Sequence, residues 1–461
     1  MKNAMKRFLP ILLFIIGLTS SLNAQWTSPG NGTTFTLPDL VTATDGVVTN
    51  NGTVFTIHND LTISDGDVLK IDNQVTRIDA PGVLITINGT MECTNNERVK
   101  LYGSETQQNL KFSMRFENAK DCILQKLYLS DGSGIKLVES DVVFNDVKFT
   151  YFTTDYCNAV IDLFNSNPVI ENCYFLLNDG AAVASAANGQ SSPKIVNCQL
   201  DSNVNNRNMP QINLGPGGND TIYIVGNLID GTYATFHTGG VSVADLMGVG
   251  STKVLLKDNN IIEGRYGYNQ QGQTISSVIS GNQFLNNNHE SNPMNGGSGI
   301  SIYGSSVNNQ AILRNNTITG NLWGITAINL NHIDMGTEDD WGNNIIHDNG
   351  NNGTIYDLYN NSSCDIKAVG NNWGTSNQRV IEEHIVHQVD NPAYGLVTFI
   401  PFIDVDQVEE IPIDGTTIDL SKATLYSLNG QRLGSESLKP GVYIAVIKQG
   451  TQTIAKKILI Q

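Results

Sequence analysis

The chain has 461 residues, with 27 Lys and Arg against 44 Asp and Glu, for a formal net charge of −17. That balance argues against nucleic acid, whose phosphates are held by clustered Lys and Arg, and it repels polyuronates unless divalent cations bridge the two surfaces. Length alone would suggest two or three globular domains, but a chain that grows by repeating one unit escapes that limit.

The N-terminus carries Lys2, Lys6 and Arg7, then an apolar run from Phe8 to Leu18, then Ser20-Ser-Leu-Asn-Ala24 before Gln25. This reads as a secretory signal peptide over residues 1–24, too short to cross a bilayer. No later segment reaches the length of a transmembrane helix, and no Cys follows the cleavage point to take a lipid anchor. A lead-in spans 25–55, and from residue 56 the apolar positions alternate as in strands, for example Leu84-Ile-Thr-Ile87, with Asn, Gly and Ser between the runs.

One six-residue pattern then recurs: apolar, any, Asn/Asp/Gly, Asn/Cys, any, apolar. It reads Ile170-Glu-Asn-Cys-Tyr-Phe175, Ile195-Val-Asn-Cys-Gln-Leu200, Ile224-Val-Gly-Asn-Leu-Ile229, Leu256-Lys-Asp-Asn-Asn-Ile261, Ile279-Ser-Gly-Asn-Gln-Phe284, Leu313-Arg-Asn-Asn-Thr-Ile318, Trp341-Gly-Asn-Asn-Ile-Ile346 and Val369-Gly-Asn-Asn-Trp-Gly374. The fourth position falls at 173, 198, 227, 259, 282, 316, 344 and 372, so the steps are 25, 29, 32, 23, 34, 28 and 28. A period of that size marks a solenoid. Each copy is a strand bending into a strand, with residues at the bend that tolerate positive φ. Stacked coils repeat at about 4.8 Å, so the predicted turn ladder is Asn172, Asn197, Asn227, Asn259, Asn282, Asn316, Asn344 and Asn372. Weaker copies at Leu124–Leu129 and Phe144–Phe149 extend the stack backwards.

This pattern resembles the right-handed parallel β-helix of the pectate-lyase-like superfamily over residues 56–403. Asp60–Ile71 with Gly82–Thr90 is similar to that family's opening coils, and Gly370–Thr375 onward to its closing coil. The expected fold class is therefore all-β: a right-handed parallel β-helix solenoid with a small C-terminal antiparallel β module. Of the six cysteines at 93, 122, 157, 173, 198 and 364, Cys173 and Cys198 share one slot in neighbouring coils. Buried thiols standing in for Asn are preferred there to a disulfide.

Enzymes of the resembled superfamily imply Ca²⁺-binding carboxylates with an Arg or Lys, or facing Asp residues; neither constellation is recognisable. Asp334-Met-Gly-Thr-Glu-Asp-Asp-Trp341 gathers Asp334, Glu338, Asp339 and Asp340 in a candidate Ca²⁺ or sugar-binding loop. The competing reading, a solvated loop with Trp341 filling the inward slot, is preferred. Arg265, Tyr266 and Tyr268 combine a cation with two aromatics suited to sugar stacking, against the simpler reading of an exposed loop. Arg207 and Arg314 are the other cations expected on the outer face. His237 reads as structural, and Glu382-Glu-His384-Ile-Val-His387 as part of the closing cap rather than a metal site. No cofactor is required by the sequence, with Ca²⁺ the one metal considered.

The longer steps place inserts at Asn205–Gly218, Tyr233–Gly250 and Asn286–Gly304, beside which a ligand groove is expected. After Pro401 a linker spans 404–413. Residues 414–461 then carry Leu425-Tyr-Ser-Leu-Asn-Gly-Gln-Arg-Leu433, Pro440-Gly-Val-Tyr-Ile444 and a terminal Lys456-Lys-Ile-Leu-Ile460, with a hairpin signal at Asn429-Gly430. That wording resembles the C-terminal sorting domain of type IX secretion cargo, without its usual opening strand, and implies export through type IX machinery to the medium or the outer-membrane surface. The expected function is glycan binding or surface adhesion; the alternative is a polysaccharide lyase or glycoside hydrolase with a divergent site.

Overall fold

The computed structural model describes residues 25–103, 110–205, 208–248, 250–292, 296–405, 423–426, 432–433, 441–449 and 452–460. The signal peptide, Arg207, most of the linker and the Asn429-Gly430 turn lie outside them. The chain divides into two compact units, up to Val405 and from Asp406 onward. The second holds three antiparallel strands, Thr424–Tyr426, Gly441–Gln449 and Gln452–Ile460.

The first unit is a right-handed parallel β-helix. Each coil of its middle contributes three short strands, every one paired in parallel with its counterpart one coil away. One face stacks Val143–Asn145, Val169–Glu171, Lys194–Val196 and Thr221–Val225, and the next stacks Lys148–Thr150, Tyr174–Leu176, Gln199–Asp201 and Leu228–Asp230. Alternation sends Ile170, Ile195, Ile224, Phe175, Leu200 and Ile229 inward, where each is essentially inaccessible.

The repeated hexapeptide is the corner between these two faces. Its third residue is left-handed in the first seven copies, with φ of 55° at Asn172, 52° at Asn197, 69° at Gly226, 55° at Asp258, 70° at Gly281, 58° at Asn315 and 52° at Asn343. Its fourth residue points into the corner. Asn282 Oδ1 accepts from Asn259 N–H (3.0 Å) and Nδ2 (2.9 Å), while its own Nδ2 donates to Asn316 Oδ1 (3.0 Å) and Leu256 O (2.8 Å). All the hydrogen-bonding capacity of that buried amide is thus used. The same arrangement runs through Asn227, Asn259, Asn316 and Asn344.

Three expectations need correction. Asn172 and Asn197 occupy the left-handed corner, exposed, and are not rungs; their neighbours Cys173 and Cys198 fill the rung position. The last rung is Asn371 rather than Asn372, because left-handed Gly370 (φ 69°) sets the true eighth copy one residue earlier, with Ala368 and Trp373 inward. Trp341 does not fill an inward slot but is 41% exposed. Met335, next to the Ile312–Asp334 register pair, is buried in its place, and residues 336–341 loop outward before the corner begins.

All six cysteines are free thiols. Cys198 Sγ donates to Ile170 O (3.4 Å) and Cys173 Sγ to Phe144 O (3.5 Å), the same carbonyl contact that Asn Nδ2 makes in later coils. Burial pushes the Cys173 thiol well up, and the neighbouring Cys198 adds to it.

Both ends of the stack are covered. The helix Leu37–Ala43 starts with a Thr36–Asp39 capping box and buries Leu37 and Leu40 on the first coil. Below it, inaccessible Asp67 accepts four backbone N–H bonds, from Gly30, Asn31, Gly32 and Thr33, at 2.7–3.0 Å. At the other end lie Trp373 against Phe399 and the helix Gln378–Glu383. His387 Nε2 meets Glu382 there at 2.8 Å and its Nδ1 accepts from Val397 N, fitting the capping role.

Candidate functional site

The third face carries the site. Its strands are Phe112–Glu117, Gly132–Val138, Ala159–Phe164, Ala181–Ser185, Pro210–Leu214, Gly239–Asp245, Tyr268–Gly272, Ser298–Arg314, Trp323–Asp334 and Leu358–Asn361. Register fixes one outward column along them: Arg115, Lys136, Asp162, Ala184, Asn213, Ser242, Asn269, Ser301, Thr326, Tyr359. Each side chain points away from the core, yet none is fully exposed, because loops at the strand ends rise beside the column. The column is the floor of a trough.

Its C-terminal half opens into a groove of about 820 Å³ lined by Asn213, Asn269, Ser301, Thr326 and Tyr359 from the floor. The walls come from Asn208, Met209 and Pro210 in the first insert, from Gly296 to Ser298 in the third, and from Arg265, Tyr266 and Trp323. No described residue of the insert 233–250 lines the groove; its Tyr233 and Phe236 are exposed, with the Phe236 ring 3.9 Å from that of His237.

Tyr266 reaches its place through glycine. A Cβ on Gly239 would lie 2.2 Å from the Tyr266 ring, and one on Gly297 2.2 Å from its Cβ, so only glycine on the two flanking coils admits the side chain. Burial pushes its phenol up, against the smaller pull of Arg265. Arg265 Nη1 donates to Asn208 Oδ1 at 2.7 Å, tying two walls together. Tyr268, two residues on, is a correction: strand alternation turns it inward, fully buried, with its hydroxyl on Gln270 Oε1 (3.1 Å).

At the far wall Trp323 stacks on Tyr356 (4.5 Å, 28°) and meets Tyr359 edge-on (5.4 Å, 85°), with Tyr394 beyond (6.1 Å). The hydrogen bond with Tyr394, followed by burial, pushes the Tyr359 phenol up to about 12. The groove thus offers flat aromatic surface beside neutral amides and hydroxyls.

The acidic loop does not belong to this groove. Asp334 sits on another face, in register with Ile312, and Arg314 gathers it (2.9 Å) together with Asp340 (2.8 Å). Burial disfavours the Arg314 charge, and the hydrogen bonds with Asp340 and Asp334 outweigh it. Glu338 and Asp339 are exposed beside Trp341. With two of four carboxylates committed to a guanidinium, the loop does not fit a Ca²⁺ site, and among the described residues no group of three or more His, Cys, Asp or Glu is placed to hold a metal.

The sequence reading missed Trp323, Tyr359, Asn213 and Asn269, and all of Arg115, Lys136 and Asp162. Alternation in Phe112-Ser-Met-Arg-Phe-Glu117 does mark Arg115 as outward. Which of three faces it shares with residues 244 positions away depends on every coil length between.

Residues 218–380 match the family model DUF1565, described as a protein of unknown function. No curated protein matches the chain in sequence. Among solved structures, the chain is similar to a mutant of the periplasmic alginate epimerase AlgG, with 10% identity over 80% of this chain and 81% of that one and a TM-score of 0.39. It is also similar to the tailspike protein gp49 of Acinetobacter baumannii bacteriophage Fri1, a capsular polysaccharide depolymerase, with 14% identity over 84% of this chain and 73% of that one and a TM-score of 0.32. No helix among the described residues is long and apolar enough to cross a membrane.

Proposed function

We propose that this protein binds a polysaccharide in the groove floored by Asn213, Asn269, Ser301, Thr326 and Tyr359, and acts at the cell surface as a glycan-binding or adhesive protein. The observation that carries this reading is the pairing of the Trp323–Tyr359 aromatic corner with a row of uncharged amides and hydroxyls in one open trough. Apolar sugar faces stack on aromatic rings, and sugar hydroxyls exchange hydrogen bonds with amides. Repetition of the floor at about 4.8 Å suits a repeating ligand laid along the stack. Export would follow from the N-terminal signal and the C-terminal sorting-like strands, through type IX machinery.

The test is retention of the full-length protein by alginate, pectin, xylan and a bacterial capsular polysaccharide in affinity electrophoresis, with and without Ca²⁺. Retention by at least one polymer, weakened by Trp323→Ala, is expected; equal migration in all of them rejects the reading. Cleavage by a lyase is followed in the same samples as absorbance of unsaturated products. That second reading draws on the Lys136–Asp162 ion pair (3.1 Å) on the same floor, a proton donor and a proton acceptor side by side.

A further inference from the structure

The groove has a neighbour on the closing coils. On the last three rows of the third face the strands run on past the floor residues Ser301, Thr326 and Tyr359, through Tyr303, Ile328 and Asn361. Ser305 and Leu330 follow in register, and Ser363 lies two residues beyond Asn361. There a side pocket of about 470 Å³ opens, lined by Ser305, Asn329, Leu330, Asn361, Ser363 and Tyr394 among others, a size usual for a small-ligand site. Asn361 lines both spaces, so they are continuous. Four residues along a strand, from Ser301 to Ser305, span about 13 Å. The displacement is sideways: the groove follows the stack axis, and the side pocket follows the strands.

Glycine sets the walls of the side pocket at two close approaches. A Cβ on Gly304 would lie 1.9 Å from Leu330 O, and one on Gly395 2.0 Å from Cys364 O. The second approach brings the closing loop 387–396 onto the last coil, where Gly395 N–H donates to Ser362 O (2.8 Å) and Asn360 Nδ2 donates to Gly395 O (3.0 Å). That loop carries Ala393 and Tyr394 to the pocket. On the facing side Asn329 is left-handed (φ 59°), and Asn331 Nδ2 holds its turn through Ile328 O (3.1 Å).

The lining offers no charge: among the described residues no Asp, Glu, Lys, Arg or His belongs to it. Ser305, Asn329, Asn361 and Ser363 are exposed, and among the described residues no hydrogen bond occupies their side chains. Such hydroxyls and amides both give and accept hydrogen bonds, as sugar hydroxyls do. Leu330, 44% exposed, and the Tyr394 ring add apolar surface. At the junction the Tyr359 and Tyr394 rings lie 6.1 Å apart and share a hydrogen bond, one ring lining each space.

We propose that the side pocket holds an uncharged branch sugar of a polysaccharide whose main chain lies in the groove, so that the protein selects a branched polymer over its bare backbone. This rests on the groove being a glycan site. Floor rows repeat along the stack and suit successive main-chain sugars, whereas the side pocket belongs to the last three coils alone and lies across that direction. Its occupant is therefore a single substituent and not a continuation of the chain.

The experiment measures affinity of the full-length protein for three pairs of oligosaccharides equal in backbone: linear and galactose-branched β-mannan, linear β-1,4-glucan and xyloglucan, and linear and arabinose-branched xylan, with alginate and pectin alongside. In at least one pair the branched member is expected to bind about tenfold tighter. Ser363→Trp and Ser305→Trp, each filling the side pocket, should bring that ratio to about one, whereas Trp323→Ala should weaken both members of the pair. Thermal unfolding confirms that each variant is folded. Equal affinity within every pair that binds, or a preference that survives both tryptophans, overturns this proposal and leaves the groove reading standing. So does retention by alginate or pectin with no pair bound. Failure of every polymer and fragment to bind overturns both.

Discussion

The corner that holds the asparagine ladder and the face that holds the groove are built from the same coils, yet they treat polarity in opposite ways. At the corner each buried amide spends its two donors and two acceptor sites on its neighbours, as Asn282 does with Asn259, Asn316 and Leu256 O. On the groove floor Asn213 and Asn269 are only half-buried and line the trough, and among the described residues the one floor-to-floor amide bond between adjacent rows there runs from Asn269 Nδ2 to Ser242 Oγ (3.1 Å). A second ladder sits at the entry to the groove face, where Asn287, Asn321 and Asn349 pass their bonds to Asp357. Ladders fix the spacing of the floor; the floor, with fewer internal bonds, keeps polar groups turned to the trough. Asparagine in this chain is therefore locked in a ladder or presented to a groove according to the corner or face it occupies.

The largest effect expected from breaking that contrast is at the ladder. Asn316→Leu removes the partner of Asn282 N–H and of one of the two Asn282 Nδ2 N–H bonds, and the Nδ2 contact to Ile279 O, in a dry corner. The cost should be about 3–5 kcal/mol, read as a fall in thermal unfolding temperature, and a loss below about 1 kcal/mol would show that the ladder is not cooperative. Next is Asp67→Ala at the capped end, which strands four backbone donors and should cost about 2–3 kcal/mol. Burial alone would raise the Asp67 pKa, but the Ser28 hydroxyl and the Gly30, Thr33 and Asn31 N–H groups outweigh it, so the folded value lies below the ordinary one. Its stabilisation is then present above the unfolded carboxyl pKa and lost as pH falls through the lower folded value. Acid unfolding of the variant should lack that step.

A smaller effect, and one of different kind, is expected on the groove. Trp323→Ala removes the stacking surface beside Tyr356 and Tyr359. Affinity for the retained polysaccharide should fall about tenfold, roughly 1.4 kcal/mol, while the Asn316→Leu protein, at a temperature where it stays folded, should bind almost normally. Equal losses in both variants would erase the distinction between corner and face.

The ladder was legible in the sequence because every coil must solve the same corner: left-handed backbone at one residue, a small polar or thiol filler at the next. The eighth copy was read one residue late because Gly370 and Asn371 both satisfy the same letter of the pattern, and only the buried Trp373 and Ala368 decide between them. Trp341 was misread for a related reason, since a loop inserted after Met335 leaves the hexapeptide's first letter outside the core. The groove was half legible. Inserts at 205–218 and 286–304 flank it, and Arg265 and Tyr266 line it, but Tyr268 obeys alternation and turns inward. Arg115 and Tyr359 meet on one column through nine register steps, a relation that no local pattern encodes.

The smallest expected effect tests whether the second ladder ends in a charge. Asp357 closes it by accepting from Asn349 N–H (3.2 Å) and Nδ2 (2.9 Å), and its other oxygen lies 3.2 Å from His384 Nδ1. The Asp357 carboxylate beside it holds the His384 pKa above its ordinary value, against a smaller opposing push from burial. A raised folded pKa means stabilisation that is complete below the unfolded value, near 6.5, and disappears as pH rises through the folded one. His384→Gln should unfold at a temperature that is flat across that window, where the parent protein loses stability by a small but measurable step. If both curves are parallel, Asp357 ends the ladder through the asparagine bonds alone, and the closing coil owes nothing to the imidazolium.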